Sequence, residues 1–131
     1  MTSFGIPPWR SPEEIVAGDR GPLEAWFEQP APEEALLIAE VDGQPAGYAY
    51  LVVNTDFFTE KPHAHLSVLA VAKDAEGRGV GSALMDAAAS WSKARGDDHI
   101  TLNVFDGNHR AQALYERHGY AREIIRYRKT H

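Results

Sequence analysis

Cysteine is absent from this chain of 131 residues. Its absence excludes disulfides, thiolate metal sites and a cysteine nucleophile, and it is compatible with the reducing environment of the cytosol. Long apolar runs are also lacking, since none approaches the ~20 residues that a transmembrane helix requires. Residues 1–10 do not show the charged start and apolar stretch of a signal peptide. We therefore expect a cytoplasmic protein that acts away from membranes.

Basic charge is scarce, above all in the first part of the chain. The formal net charge is −6, which argues against a general nucleic-acid binder because such proteins need a basic face. Residues 1–60 carry eleven acidic and two basic residues, whereas residues 61–131 carry eight acidic and eleven basic residues. This asymmetry indicates either that the two parts meet differently charged ligands or only that their solvated faces differ.

The order of secondary structure follows from the apolar pattern and the turn residues. The length is that of a single domain, which we expect to span residues 1–131. Asp42-Gly43 is a typical two-residue hairpin turn, and apolar residues recur with helical spacing from Val80 to Trp91. The pattern predicts helices at 11–17, 22–28, 79–95 and 108–118, and strands at 35–41, 46–53, 65–72, 99–105 and 120–128.

The fold class predicted from this order is α/β. The third strand, the following helix and the fourth strand form a βαβ unit, so these two strands should be parallel and the crossover right-handed. Around this central unit we expect a mixed, mostly antiparallel sheet with helices on both faces.

Glycines alternate in the turn before the third predicted helix, at Gly77, Gly79 and Gly81. Glycine is unfavourable at a helix start unless the backbone turns sharply or admits a close ligand. A helix N-terminus also presents unpaired N–H groups and a partial positive charge, so the turn favours a phosphate site. A P-loop would require a lysine here, and a dinucleotide fingerprint a glycine in place of Leu84. A turn that merely permits tight packing is the structural alternative.

Two segments in the second half of the chain resemble the GNAT superfamily of N-acetyltransferases. The first is Leu69-Ala70-Val71, then Glu76-Gly77-Arg78-Gly79-Val80-Gly81 and a helix. The second contains Leu102-Asn103-Val104, Asn108, Ala111, Leu114-Tyr115-Glu116 and Gly119-Tyr120.

The chain departs from the family at two places. Glu76 stands where the family prefers glutamine or arginine. The family's first strand is either very short, at residues 3–6, or absent. An absent strand would leave a sheet edge open and favour a homodimer.

The resemblance implies that acetyl-CoA is the co-substrate and that the acetyl group passes directly to a primary amine. No metal is expected, since none of the six histidines shows ligand spacing with a second acid. It implies that Tyr115 is the general acid that protonates the leaving thiolate. Core packing is the alternative for Tyr115, and helix capping is the alternative for Asn108. The residues assigned to the cofactor are Leu69, Ala70, Val71, Glu76, Gly77, Arg78, Gly79, Val80, Gly81, Ser82, Asn103, Asn108 and Tyr115.

A general base is needed because an amine attacks only in its neutral form. Many relatives place a glutamate near the end of the third strand, but this chain has Ser67 and Val68 there. His63 and His65 are the candidates, since an imidazole has a suitable pKa. Surface histidines without a catalytic role are the alternative.

The acceptor is expected to be a cationic amine of a small molecule or a peptide, such as a protein lysine or N-terminus. Acidic and aromatic side chains in the first half of the chain would attract and enclose it, although aromatic residues are also common in cores. These residues are Trp26, Phe27, Tyr48, Tyr50, Asp56, Phe57 and Phe58.

Two other classes of protein stay open. The first is a non-catalytic sensor or partner domain that binds acyl-CoA, and release of the CoA thiol would distinguish the enzyme from it. The second is a nucleotide-binding regulatory domain, which ATP or NAD would stabilise and acetyl-CoA would not.

Overall fold

This computed structural model describes residues 33–131 of the chain, and these residues contain a four-stranded sheet. The strands are β1 (Ala35–Val41), β2 (Gln44–Thr55), β3 (Pro62–Val71) and β4 (Ile100–Leu102), and they are neighbours in that order. The pairs β1–β2 and β2–β3 are antiparallel, whereas β3–β4 is parallel. The mixed sheet with its parallel unit is therefore confirmed.

The hairpin between β1 and β2 turns at Asp42 and Gly43, as predicted. Both residues have positive φ, 53° and 78°. A two-residue turn of this kind requires positive φ at both positions, which explains why aspartate and glycine occupy them.

Helix α1 (Val80–Arg95) lies between two glycines in the left-handed conformation, Gly79 at φ 78° and Gly96 at φ 86°. Its buried residues Val80, Leu84 and Met85 join Ala49, Leu51 and Leu66 of the sheet in one core cluster. A short 3₁₀ turn, Lys73–Ala75, connects β3 to the approach of α1 and was not predicted.

Helix α2 (His109–Arg117) packs on the same face of the sheet, because Leu114 and Tyr115 contact the core cluster of α1. The opposite face carries a second cluster of Tyr50, Val68 and Ala70. The two helices predicted at 11–17 and 22–28, and the question of a first strand, lie outside the described residues.

The end of the chain differs from its prediction. Strand β4 is shorter than residues 99–105, and the strand predicted at 120–128 is wrong, since residues 121–131 are exposed and outside any helix or strand. The adjacent residues Ile124 and Ile125 would point to opposite faces of a strand, with charged residues on both sides of them. The segment therefore has no single apolar face with which to dock on the sheet.

Candidate active site

A gap opens between β3 and β4. Their parallel pairing consists of Ala64↔Ile100, His65↔Thr101 and Leu66↔Leu102, and β4 ends there. Residues 67–71 of β3 continue without a β4 partner. Crevices at the carboxyl ends of such strands are common ligand sites in α/β sheets.

The backbone of β3 is directed into this gap at Leu69 and Val71. The N–H of Ala72 donates to the carbonyl of Ala46 on β2 at 2.7 Å. Because amide groups alternate in direction along a strand, Leu69 and Val71 direct theirs away from β2 and towards the gap. Ala70, between them, belongs to the cluster on the face opposite the two helices.

The register of β3 shifts at the inner end of the gap. Tyr50 pairs with Val68 and Leu51 pairs with Leu66, so Ser67 is an extra residue in β3. An extra residue bends a strand and redirects its side chains. The shift also keeps Leu66 in the core under the helices while Val68 lies on the opposite face.

The glycine turn leads from β3 to α1. Gly77 has φ 80° and Gly79 has φ 78°, conformations that side chains rarely adopt. Gly79, at the N-cap, makes no side-chain hydrogen bond to the helix, and the first N–H groups of a helix, here those of Val80 to Ser82, have no partner within the helix itself. The side chain of Arg78 is exposed next to them.

Gly81 is not required by the packing of the protein itself. An added Cβ there would lie 3.5 Å from Leu114 and 3.7 Å from Val71, both ordinary van der Waals distances. Packing among the described residues therefore does not require a glycine at this position.

Glu76 forms an ion pair that the sequence did not predict. Its carboxylate lies 3.8 Å from the guanidinium of Arg110, at the start of α2. The pair connects the glycine turn to α2 and offsets the negative charge that Glu76 brings to a phosphate site. No local pattern could indicate it, because the partners lie on different elements.

Asn103 and Asn108 lie in the segment that leads from β4 to α2. The side-chain oxygen of Asn108 accepts from the N–H of Ala111 at 3.2 Å, so it caps the helix. That bond uses the oxygen and not the amide nitrogen. Asn103 directly follows β4 at the gap and is exposed.

Tyr115 lies on α2, and Tyr120 lies three residues after its end. Burial raises the pKa of Tyr115, so its hydroxyl keeps a proton at neutral pH. Burial, and to a smaller extent the charge of Tyr115, also raises the pKa of Tyr120. The ring centroids are 6.2 Å apart, and the buried hydroxyl of Tyr120 has no hydrogen-bond partner among residues 33–131.

His63 and His65 converge on one hydroxyl. The oxygen of Thr101 lies 2.7 Å from Nδ1 of His65 and 3.2 Å from Nε2 of His63. His63 is only 5% exposed and its ring stacks on His99 at 4.4 Å. Burial, and then the charge of His63, lower the pKa of His65 from its ordinary value of 6.5. Thr101 was missed, because a lone threonine carries no signal of its own.

The acceptor candidates have different surroundings. Tyr48 and Tyr50 lie on the face opposite the helices. Tyr50 is buried and its hydroxyl donates to Glu34 at 2.7 Å. Burial and that carboxylate raise the pKa of Tyr50 to about 12.

The loop between β2 and β3 holds the remaining described candidates. Asp56 accepts from the N–H and the hydroxyl of Thr59, at 2.8 and 2.7 Å, and these bonds lower the pKa of its carboxyl group. Phe57 and Phe58 are exposed, with their rings edge to face at 5.2 Å. Trp26 and Phe27 lie outside the described residues.

Residues 33–131 contain neither a metal-binding cluster nor a membrane-spanning helix. No group of three or more histidine or acidic side chains there could hold a metal ion. None of the helices there is long and apolar enough to cross a membrane.

The gap, the glycine turn and the helix that follows belong to a mixed α/β fold, and residues 4–120 match the model of the Acetyltransferase (GNAT) family. The chain belongs to that family. It is 36% identical over 109 residues to a mycothiol acetyltransferase of Clavibacter sepedonicus, a match covering 82% of this chain and 33% of the relative. The chain thus spans about a third of the length of such relatives.

Solved structures agree with the fold. A Pyrococcus furiosus protein superimposes with a TM-score of 0.75 at 28% identity, covering 95% of this chain and 81% of that one. The aminoglycoside N-acetyltransferase AAC(6')-Iy in complex with CoA superimposes with a TM-score of 0.69 at 25% identity, covering 89% and 92%.

Proposed function

We propose that this chain is an N-acetyltransferase that moves an acetyl group from acetyl-CoA directly to a primary amine. The observation that carries the proposal is the gap between β3 and β4, which opens beside the uncapped glycine turn at the start of α1. The family membership supports acetyl-CoA as the donor, and a solved relative contains CoA.

The donor would lie along the gap. Its diphosphate fits the N–H groups of Val80, Gly81 and Ser82, with Arg78 and the Gly77–Gly79 backbone around it, because such groups bind anions. Its extended arm would pair with the backbone at Leu69 as an added strand does, and would continue past Val71. Glu76, balanced by Arg110, borders the same path, as do the exposed Asn103 and the half-buried Asn108.

The acetyl group would then lie near Ser67, where the gap begins. His65, which is paired with Thr101 one residue before the last pair of β3 and β4, lies beside the start of the gap and is our candidate base. Its lowered pKa leaves the ring neutral at pH 7, so it can accept a proton from an ammonium group. Tyr115, on the helix side, keeps its proton and is the candidate acid.

Protons balance in this scheme. The amine nitrogen bonds to the acetyl carbon while the carbon–sulfur bond breaks. Of the two protons that an ammonium nitrogen loses, one passes to His65 and from there to solvent. The other is lost from nitrogen as the carbon–sulfur bond breaks, and it replaces the proton that Tyr115 gives to sulfur, so that both side chains return to their starting state.

The acceptor is proposed to be a cationic amine. Relatives named for mycothiol and for aminoglycosides favour a small molecule over a protein lysine or N-terminus. Tyr48, on the face opposite the helices, and Asp56, Phe57 and Phe58, on the adjoining loop, are the described residues we assign to this side.

A thiol-release assay tests the function. Purified protein with acetyl-CoA is offered cationic, neutral and anionic amines and lysine peptides, and free CoA thiol is measured against protein without amine. Release with cationic amines is expected. Stabilisation by acetyl-CoA without thiol release for any amine would instead indicate a non-catalytic acyl-CoA-binding domain.

A further inference from the structure

Thr101 lies between the rings of two histidines. It lies on β4 directly opposite His65, in the pairing next to the one at which β3 and β4 separate. Its oxygen contacts Nδ1 of His65 and Nε2 of His63. The row of contacts from His63 through Thr101 to His65 therefore ends beside the start of the gap.

The buried nitrogen of His63 restricts where the protons of this chain reside. Nδ1 of His63 is buried and has no hydrogen-bond partner among the described residues. An N–H group left without an acceptor in such a position is rare and unfavourable. The proton of the His63 ring is therefore on Nε2, where it donates to the oxygen of Thr101.

A threonine oxygen has two lone pairs, so it can accept a second hydrogen bond. Its own hydroxyl proton is then directed away from both rings, and the half-buried position of Thr101 allows that proton to reach solvent. If Nδ1–H of His65 donates the second bond, Nε2 of His65 is left with a free lone pair. If instead the hydroxyl of Thr101 donates to Nδ1, then Nε2 carries the proton and cannot act as a base. The identity of the donor at the 2.7 Å contact thus decides whether His65 can accept a proton from an amine.

We propose that Thr101 is a positioning residue whose oxygen accepts from both histidine rings and so presents Nε2 of His65 to the acceptor amine. This inference rests on the proposed transferase function. Thr101 contacts neither donor nor acceptor and acts only through the ring of His65.

Other charged groups surround the pair. His99, which precedes β4, stacks on His63, and Asp56 on the loop before β3 interacts electrostatically with His63 and His99. Asp97, before β4, accepts from the N–H of Ala64 at 2.9 Å. These groups are unchanged when Thr101 is replaced, so a change in pH dependence on replacement reports the hydroxyl itself.

The variant Thr101→Val tests the inference, because valine keeps the branched shape and removes the oxygen. We expect kcat to fall about 10-fold to 100-fold while the KM for acetyl-CoA is unchanged, since misorientation of a base affects chemistry and not donor binding. The acid limb of the pH–rate profile should move to lower pH, because the protonated ring loses an acceptor. Thr101→Ser should restore activity, and Thr55→Val, the same change at an exposed position of β2, should have no effect.

Imidazole ¹⁵N spectra of the free protein provide a readout that needs no substrate. We expect the Nδ1–H form of His65 in the unchanged protein and the Nε2–H form in Thr101→Val. An Nε2–H form in the unchanged protein, or a Thr101→Val variant with lowered thermal stability but normal kcat and tautomer, would overturn the inference. Failure of all amines in the thiol-release assay would reject the transferase function alone, because the tautomer is measured separately.

Discussion

Tyr115 and Tyr120 are chemically identical side chains with different surroundings. Both are partly buried and both have a raised pKa, chiefly because of burial. Only the hydroxyl of Tyr120 is fully buried without a partner among the described residues. A leaving thiolate needs an accessible donor, so the two hydroxyl groups should differ in their contribution to activity and to stability.

Tyr115→Phe should lower kcat by about 100-fold or more with little change in acetyl-CoA affinity, since a general acid contributes on this scale. Tyr120→Phe is the matched control and should retain activity. Removing an unpaired buried hydroxyl should also raise the free energy of unfolding, by up to about 1–3 kcal/mol. Steady-state kinetics and denaturant unfolding measure both, and an unchanged kcat in Tyr115→Phe would remove the acid role.

Gly81 stands at a position where packing among the described residues does not require a glycine. Because an added Cβ would make only ordinary van der Waals contacts, Gly81→Ala should leave folding intact and stabilise α1 by about 0.5–1 kcal/mol. The methyl group would crowd a diphosphate, so acetyl-CoA should bind about tenfold more weakly. Calorimetric titration and thermal unfolding check the two effects. Undiminished binding would show that the cofactor does not approach this residue.

At the scale of elements, Gly47 sets how closely β2, β3 and α1 pack. A Cβ at Gly47 would lie 2.6 Å from the carbonyl oxygen of Ala70 and 3.0 Å from Val80. The oxygen belongs to the backbone of β3, so it cannot move away as a side chain can. Gly47 thus lets α1, which carries the phosphate-binding turn, lie against the sheet.

Gly47→Ala should therefore destabilise the protein by about 1–3 kcal/mol, as overpacking does. Denaturant unfolding measures the loss. The double variant Gly47→Ala/Val80→Ala separates the two contacts and should recover only the part due to the side chain of Val80. Full stability of the single variant would show that β2 and β3 can separate at no cost.

Asp97, in the turn between α1 and β4, connects that turn to β3 and to α1. Its carboxylate accepts from the N–H of Ala64 on β3 at 2.9 Å, from Ser92 on α1 at 3.0 Å and from Arg95 at 3.2 Å. These bonds fix the turn before β4, and with it the position of Thr101 beside His65. A strand of three residues has few bonds of its own, so this anchor holds it in register.

At the scale of the whole molecule, stability should depend on pH through His65. The folded-state pKa of this group lies below its ordinary value of 6.5, so the unfolded chain binds a proton more readily. Its contribution is fully present above pH 6.5, and it is lost as the pH falls through the lowered folded-state value. Unfolding free energy measured from pH 8 to pH 5 should decrease on the acid side, and less steeply in His65→Asn. An equal slope in both proteins would contradict this expectation.

The sequence alone determined the features that depend on neighbouring residues. The hairpin at Asp42-Gly43, the first three strands to within a few residues and the limits of α1 to within one residue were predicted correctly, because backbone conformation and apolar spacing are local properties. The glycine turn and the resemblance of two segments likewise identified the family that residues 4–120 match. The prediction of a strand at 120–128 was wrong because the apolar residues of this segment share no face. Strand propensity is a property of single residues and does not take this into account.

Only the tertiary structure decided which distant groups meet. Thr101 lies 36 residues from His65 and 38 from His63 in the chain, and Arg110 reaches Glu76 from another element. The gap itself exists because β4 ends at Leu102 while β3 continues to Val71. Such features depend on how strands and helices are brought together by burial, which no short stretch of sequence encodes.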